Sequence, residues 1–248
     1  NYIRDSKNLL EKHSPIITVN SNEINEATSI LSSLNPQKKK IAIFFIRDEA
    51  YLNFIYPKTN WENDNLRNIN INKFLKSIKF LADNDYTVFR MGKNMKNKLN
   101  LHHPNVVDYA FSNYRSDFMD FYLASNCDIC ISTDTGMDII SDSHKVPMGI
   151  IQFPISWTRS QRSNVLTFPR LIKNKTTNKN LTLNEMFKNK VASNRDNKIL
   201  INKNLELVDL DEDDILSLVK EVYERKQGIF VENEIDKSNQ KKFWDIFL

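Results

Sequence analysis

Four glycines in 248 residues set the first limits. Neither the G-x-G-x-x-G turn of dinucleotide-binding domains nor the G-x-x-x-x-G-K-[ST] phosphate loop can be written anywhere in the chain. This argues against a Rossmann dehydrogenase and against a phosphate-loop NTPase. Cysteine is nearly as scarce: Cys127 and Cys130 form a C-x-x-C, with no second Cys or His pair to complete a zinc site. On a strand of period two they would face opposite sides, as buried thiols suited to a reducing cytoplasm. A long apolar run is missing, as is a basic-then-apolar leader, so no membrane span is expected, and peripheral membrane association is left open. The excess of positive charge is small, 35 Lys and Arg against 31 Asp and Glu. Basic clusters interleaved with aromatics are absent, which places nucleic acid well below a small anionic ligand. His102-His103-Pro104 has no Cys or carboxylate at ligand spacing and reads as a solvated loop; neither a metal nor a cofactor is expected.

What is present is a rhythm of short apolar runs alternating with amphipathic stretches. Ile41–Ile46, Tyr86–Phe89, Val106–Val107, the run from Cys127, and Met148–Phe153 read as strands. Helices are expected from Ser21 to Leu34 with Ser21 as cap, from Ile71 to Leu81, from Ser116 or Asp117, and after Gly136. Thr182-Leu-Asn-Glu185 is a capping box, and Asp211 opens an amphipathic helix that Gly228 ends. Strands alternating with helices in this way mean βαβ units: an α/β, Rossmann-like parallel sheet flanked by helices. Residues 154–169 read as loop, with Trp157, Arg159 and Arg162 as ligand contacts or plain surface. A last strand is expected at Ile199–Ile201 or Leu205–Val208, and residues 231–248 form a tail or a docked helix.

In such a sheet the ligand binds beyond the carboxyl ends of the strands. Cys127-Asp-Ile-Cys-Ile-Ser-Thr-Asp-Thr-Gly-Met137 breaks from an apolar run into small polar residues and then opens a helix, whose first N–H groups and dipole favour an anion. The same residues also fit an ordinary turn capped by Asp134 or Thr135. Other strand ends carry charge: Arg47-Asp48 with Tyr51 beyond, Arg90-Met91-Gly92, and Asp108-Tyr109. Arginine in that position can fork onto a phosphate, or form a surface ion pair. Residues 56–70, with Trp61, Arg67 and Asn68, make a loop long enough to bind ligand.

Taken together, Arg47-Asp48 with Tyr51, Arg67-Asn68, Arg90-Met91-Gly92, Asp108-Tyr109-Ala110, Asp117-Phe118 with Asp120, Ser132 to Gly136, Phe168-Pro169, Leu181-Thr182 and Glu185 resemble a bacterial family assigned as glycosyltransferases of surface-polysaccharide biosynthesis. The similarity runs over roughly residues 15–228. Separately, Ser-x-Asp-Thr-Gly resembles the donor-phosphate loop of heptosyltransferases, which carry a His where this chain has Ile139 or Ile140. The resemblance implies the donor-binding, C-terminal half of a metal-independent GT-B glycosyltransferase. Its acceptor half and general base would then lie upstream of Asn1. Residues 1–34 would be a linker and helix from that half, and residues 35–230 the nucleotide-sugar-binding domain. A nucleotide-diphosphate sugar is the implied donor and a glycan the acceptor. Arg47 and Arg90 are then expected to offset the leaving diphosphate's charge. That diphosphate would sit over Thr135, Gly136 and Met137, with Asp108 and Tyr109 on base and ribose. Asp48, Tyr51, Arg67, Asn68, Met91, Gly92, Ser132 and Asp134 complete the expected binding set, Asp134 orienting a sugar hydroxyl or only capping the helix. A non-catalytic nucleotide-sugar-binding module and a sugar-nucleotide epimerase are the alternatives.

Overall fold

A computed structural model of the chain describes residues 7, 9–13, 15, 17–155 and 162–247. The apolar runs form one parallel sheet. Strands β1 (Lys40–Phe45), β2 (Tyr86–Met91), β3 (Val106–Val107), β4 (Ile129–Ser132), β5 (Met148–Gln152) and β6 (Val165–Pro169) lie in the order β3-β2-β1-β4-β5-β6. Every neighbouring pair is parallel, so all six carboxyl ends share one edge. Helix α1 (Leu9–Lys12) is a single turn, and α2 (Ser21–Leu34) leads into β1. The β1–β2 connection holds α3 (Ala50–Ile55), α4 (Glu62–Asn65), a 3-10 turn at Ile71–Phe74 and α5 (Leu75–Asp83). Helix α6 (Asp117–Asn126) leads into β4, and α7 (Asp138–Ser143) joins β4 to β5.

Side chains of β1 alternate between two cores, as a strand covered on both faces requires. Ala42 and Phe44 pack with Phe74, Ile78 and Leu81 on one side, whereas Ile43 and Phe45 pack with Ala27, Met119 and Leu123 on the other. Phe44 is fully buried, and truncating such a ring costs about 3–5 kcal/mol.

Beyond β6 the chain builds a second, antiparallel sheet from β7 (Leu171–Asn174), β8 (Lys179–Asn180) and β9 (Leu205–Val208), in the order β8-β7-β9. Helices α8 (Leu183–Lys188) and α9 (Asn197–Asn202) lie between β8 and β9. Phe153, Ile172, Met186, Leu200 and Leu205 share a third core here. Helix α10 (Glu212–Gln227) returns to the main sheet, where Gly149 lets it approach: a Cβ there would stand 3.2 Å from Val222 and 3.3 Å from Leu218. Gly228 closes α10 in the left-handed region at φ 72°. The final stretch is a helix, α11 (Glu234–Phe247), with Phe243 packed on the third core. Among the described residues no helix is long and apolar enough to cross a membrane.

Several expectations need correction. Residues 165–169 are not loop but β6, paired with β5 from Met148–Val165 to Gln152–Pro169. As the last strand on that edge, it ends on a proline whose missing N–H costs no ladder bond. Ile199–Ile201 belongs to α9, started by Asp196, whose side chain accepts from Lys198 N. Helix α2 is capped by Asn20, not Ser21, in a capping box with Glu23. Cys127 lies ahead of β4, at the end of α6, so both thiols enter the same core and do not face opposite sides. Trp157 and Arg159 lie outside the described residues.

Candidate functional site at the carboxyl edge of the sheet

The order of the strands reverses between β1 and β4, and a crevice opens beyond their carboxyl ends where the connecting segments diverge. An open cleft of about 590 Å³ occupies that place. Its floor is apolar, from Phe45, Ile46, Met91, Met95 and Ile140, and its walls carry Arg47, Asp48, Lys93, Arg115, Asp117 and Asp120. Tyr51 and Leu52 of α3 and Thr135, Gly136 and Met137 of the β4–α7 loop complete it. Gly92 turns the chain out of β2 at φ 145°, where a Cβ would meet Met95 Sδ at 2.4 Å.

Arg47 is the principal cation of the cleft. Its backbone N–H donates to Thr133 Oγ1 (2.8 Å), tying the end of β1 to that of β4. Its Nε donates to Asn68 Oδ1 (2.9 Å), while Nη2 is buried without a hydrogen-bond partner, 3.9 Å from Asp64 Oδ1. Burial, with the charge of Arg67 beside it, lowers the guanidinium from 12.5 to about 10, against the opposing pull of Asp64 and Asp134. The carboxylates nearby are already engaged. Asp48 accepts from Ala50 N and Lys96 N (both 2.9 Å). Arg115 Nη2 donates to Asp117 Oδ1 (2.5 Å) and to Asp120 Oδ2, and Lys93 pairs with Asp117 at 3.1 Å. Burial raises Asp120 above the usual carboxylate range, opposed by Arg115, and its Oδ1 has no hydrogen-bond partner.

The loop after β4 differs from a simple helix-terminus anion site. Helix α7 has six residues, and its N-cap is Met137, not Asp134 or Thr135. Asp138 reaches back so that its Oδ2 accepts from Thr135 N (3.0 Å) and Ser132 Oγ (2.6 Å). A carboxylate of the chain therefore already holds the Thr135 N–H. Asp134 is buried with φ 60°, a left-handed conformation that Asp tolerates. Gly136 needs no such conformation, and a Cβ there would meet nothing within 4 Å.

Of the residues expected from sequence, Arg47, Asp48, Tyr51, Met91, Gly92, Thr135, Gly136 and Met137 line this one cleft. Arg67, Asn68, Ser132 and Asp134 stand behind it. Arg67 donates to Asp64 Oδ1 (2.6 Å) and to the Asp134 carbonyl (3.2 Å), Asn68 orients Arg47, and Ser132 serves Asp138. Arg90, Asp108 and Tyr109 are not brought into it. Arg90 is buried, donating to Asp108 Oδ1 (3.2 Å) and to the Asn97 carbonyl (3.1 Å). Asp108 Oδ2 accepts from Leu99 N (2.8 Å), so this pair fastens the β2–β3 connection. The Tyr109 hydroxyl donates to the Tyr114 carbonyl and accepts from Ser116 N, within the core. Arg162 is buried as well: its guanidinium donates to the Asp142 carbonyl and, at 2.6 Å, to the Val146 carbonyl.

The structure also adds residues that the sequence pattern did not select. Asp64, three positions before Arg67 on α4, and Arg195, between α8 and α9, both belong to the charged surroundings of Arg47. The spacing of Asp64 and Arg67 was a usable helix-turn signal, but nothing local marks Arg195. Comparison with protein families, characterised proteins and solved structures returned no match to this chain.

Proposed function

We propose that the cleft binds the diphosphate of a nucleotide sugar, and that the chain is the donor-binding half of a metal-independent glycosyltransferase acting on a surface-polysaccharide glycan. The observation that carries the proposal is Arg47: a half-buried guanidinium whose Nη2 makes no hydrogen bond, beside an open cleft at the switch point of a parallel sheet. A cation held in this state gains a partner when a phosphoryl oxygen arrives. It then also offsets the charge that develops on a departing nucleoside diphosphate. The apolar floor suits the face of a base or sugar ring. The residue-by-residue resemblance to polysaccharide glycosyltransferases supplies the reaction class.

A second reading, the non-catalytic nucleotide-sugar-binding module, draws on the carboxylates. Asp48 and Asp117 are both tied to chain partners, and Asp120 shares Arg115 with Asp117. Thermal shift against a panel of nucleoside diphosphates and their sugars is the first test: stabilisation by at least one is expected, and none at all would overturn the donor site. Arg47→Ala should weaken the diphosphate affinity about 10- to 100-fold, the loss of one charge-assisted contact worth about 1.5–3 kcal/mol. Binding without transfer is expected of both the donor-binding half and the module, whereas conversion of the free sugar nucleotide favours an epimerase.

A further inference from the structure

Three guanidinium groups converge on a single oxygen. Asp64 Oδ1 is 2.6 Å from Arg67 Nη2, 3.7 Å from Arg195 Nη1 and 3.9 Å from Arg47 Nη2. Arg47 and Arg67 each keep a buried nitrogen without a hydrogen-bond partner, Nη2 and Nε respectively. Asp134 Oδ2 stands 4.0 Å from Arg67 Nη1, on the other side of that guanidinium's contacts with Asp64. Asp64 is the more accessible of the two acids, its side chain 31% exposed against 2% for Asp134. It rides on the four-residue α4, in a polar connection on the protein surface. A carboxylate oxygen ringed by arginines has the geometry of a phosphoryl oxygen in an arginine-built site.

We propose that Asp64 is a built-in occupant of a three-arginine phosphoryl subsite, and that a ligand's phosphoryl group replaces its carboxylate among Arg47, Arg67 and Arg195. The inference rests on the reading of the neighbouring cleft as a diphosphate site and assigns the place of one phosphate. Since the occupant competes with the ligand, its charge lowers affinity in the wild type. Removing that charge strengthens the site, although it deletes a contact of the folded protein.

The test uses inorganic pyrophosphate as probe, by isothermal titration calorimetry at fixed ionic strength on the whole chain. Asp64→Asn should tighten pyrophosphate about tenfold or more, and Arg195→Ala should weaken it in both the wild-type and the Asp64→Asn backgrounds. Unchanged or weaker binding by a folded Asp64→Asn protein overturns the proposal. If Asp64→Asn does not fold, Arg195→Ala alone decides, and an unchanged affinity overturns it. The donor-site reading fails separately: nucleotide sugars that never bind, while Asp64→Asn gains pyrophosphate, would sink that reading and leave the arginine subsite standing. Nucleotide sugars that bind equally to wild type and Asp64→Asn would do the reverse.

Discussion

Gly136 separates the demands of the fold from those of a ligand. Its backbone does not occupy the left-handed region, and an added Cβ has open space on every side within 4 Å. Folding therefore asks for no glycine there. Replacing glycine by alanine at an unstrained position stabilises a protein by about 0.4–1 kcal/mol, because the unfolded chain loses freedom. For a domain of this size that is an increase of about 1–4 °C in Tm. The open space in front of Gly136 belongs to the cleft, so a phosphate that approaches this backbone must meet the new methyl group. Gly136→Ala should thus melt slightly higher than wild type and bind a nucleoside diphosphate more weakly, with Gly136→Val widening the loss. Thermal denaturation with and without ligand reads both quantities in one experiment. A variant that binds as tightly as wild type would refute close approach at Gly136. A drop in Tm without ligand would refute the claim that the fold leaves this position free.

Asp108→Ala should destabilise the protein by about 3–5 kcal/mol in urea unfolding, because it strands the buried Arg90 guanidinium, while ligand affinity stays near wild type. Affinity for a nucleotide-diphosphate sugar, whose bridged phosphates do not titrate in this range, should fall as the pH rises through about 10, the value to which burial lowers free Arg47; an affinity flat to about pH 11 would remove Arg47 from the site. The sign for stability is opposite. Folding disfavours the protonated form of Arg47, so its unfavourable contribution is relieved between about pH 10 and its ordinary value of 12.5. Cys127, pushed up to about 12 by burial, and Cys130 should both resist a thiol reagent in the native protein and both react in denaturant.

The parallel sheet was legible because continuous apolar runs of strand length, separated by amphipathic helices, allow few other arrangements. Arg47 was legible for the same reason, as the first charge after such a run. Arg90 departs from the expectation because its strand is longer than the apolar run. Strand β2 continues to Met91, and its register sets Arg90 beside Phe44 and Met91 beside Phe45. Side chains alternate, so Met91 faces the cleft with Phe45 while Arg90 turns to the opposite face. Of the second sheet, β9 matches one of the two alternatives for the last strand, whereas β7 and β8 are too short for a period to register, and β8 is exposed. Arg195 joins Asp64 only through that sheet's connections, a contact between distant segments that no local pattern encodes.

Those connections give the small sheet a bearing on the ligand. Arg170, just ahead of β7, donates to the Leu66 carbonyl and to Asp209, and Asn197 bonds Asn63 and Glu62 at 2.9 and 2.8 Å. Together they brace α4 and the turn after it, the segment that carries Asp64 and Arg67. Amide protons of 62–68 and of the β7–β9 ladder should then exchange as one cooperative unit, slowed together when a phosphate compound binds. Substitutions in that antiparallel unit would tune affinity without touching the ligand, acting as a tension on the loop that presents the arginines.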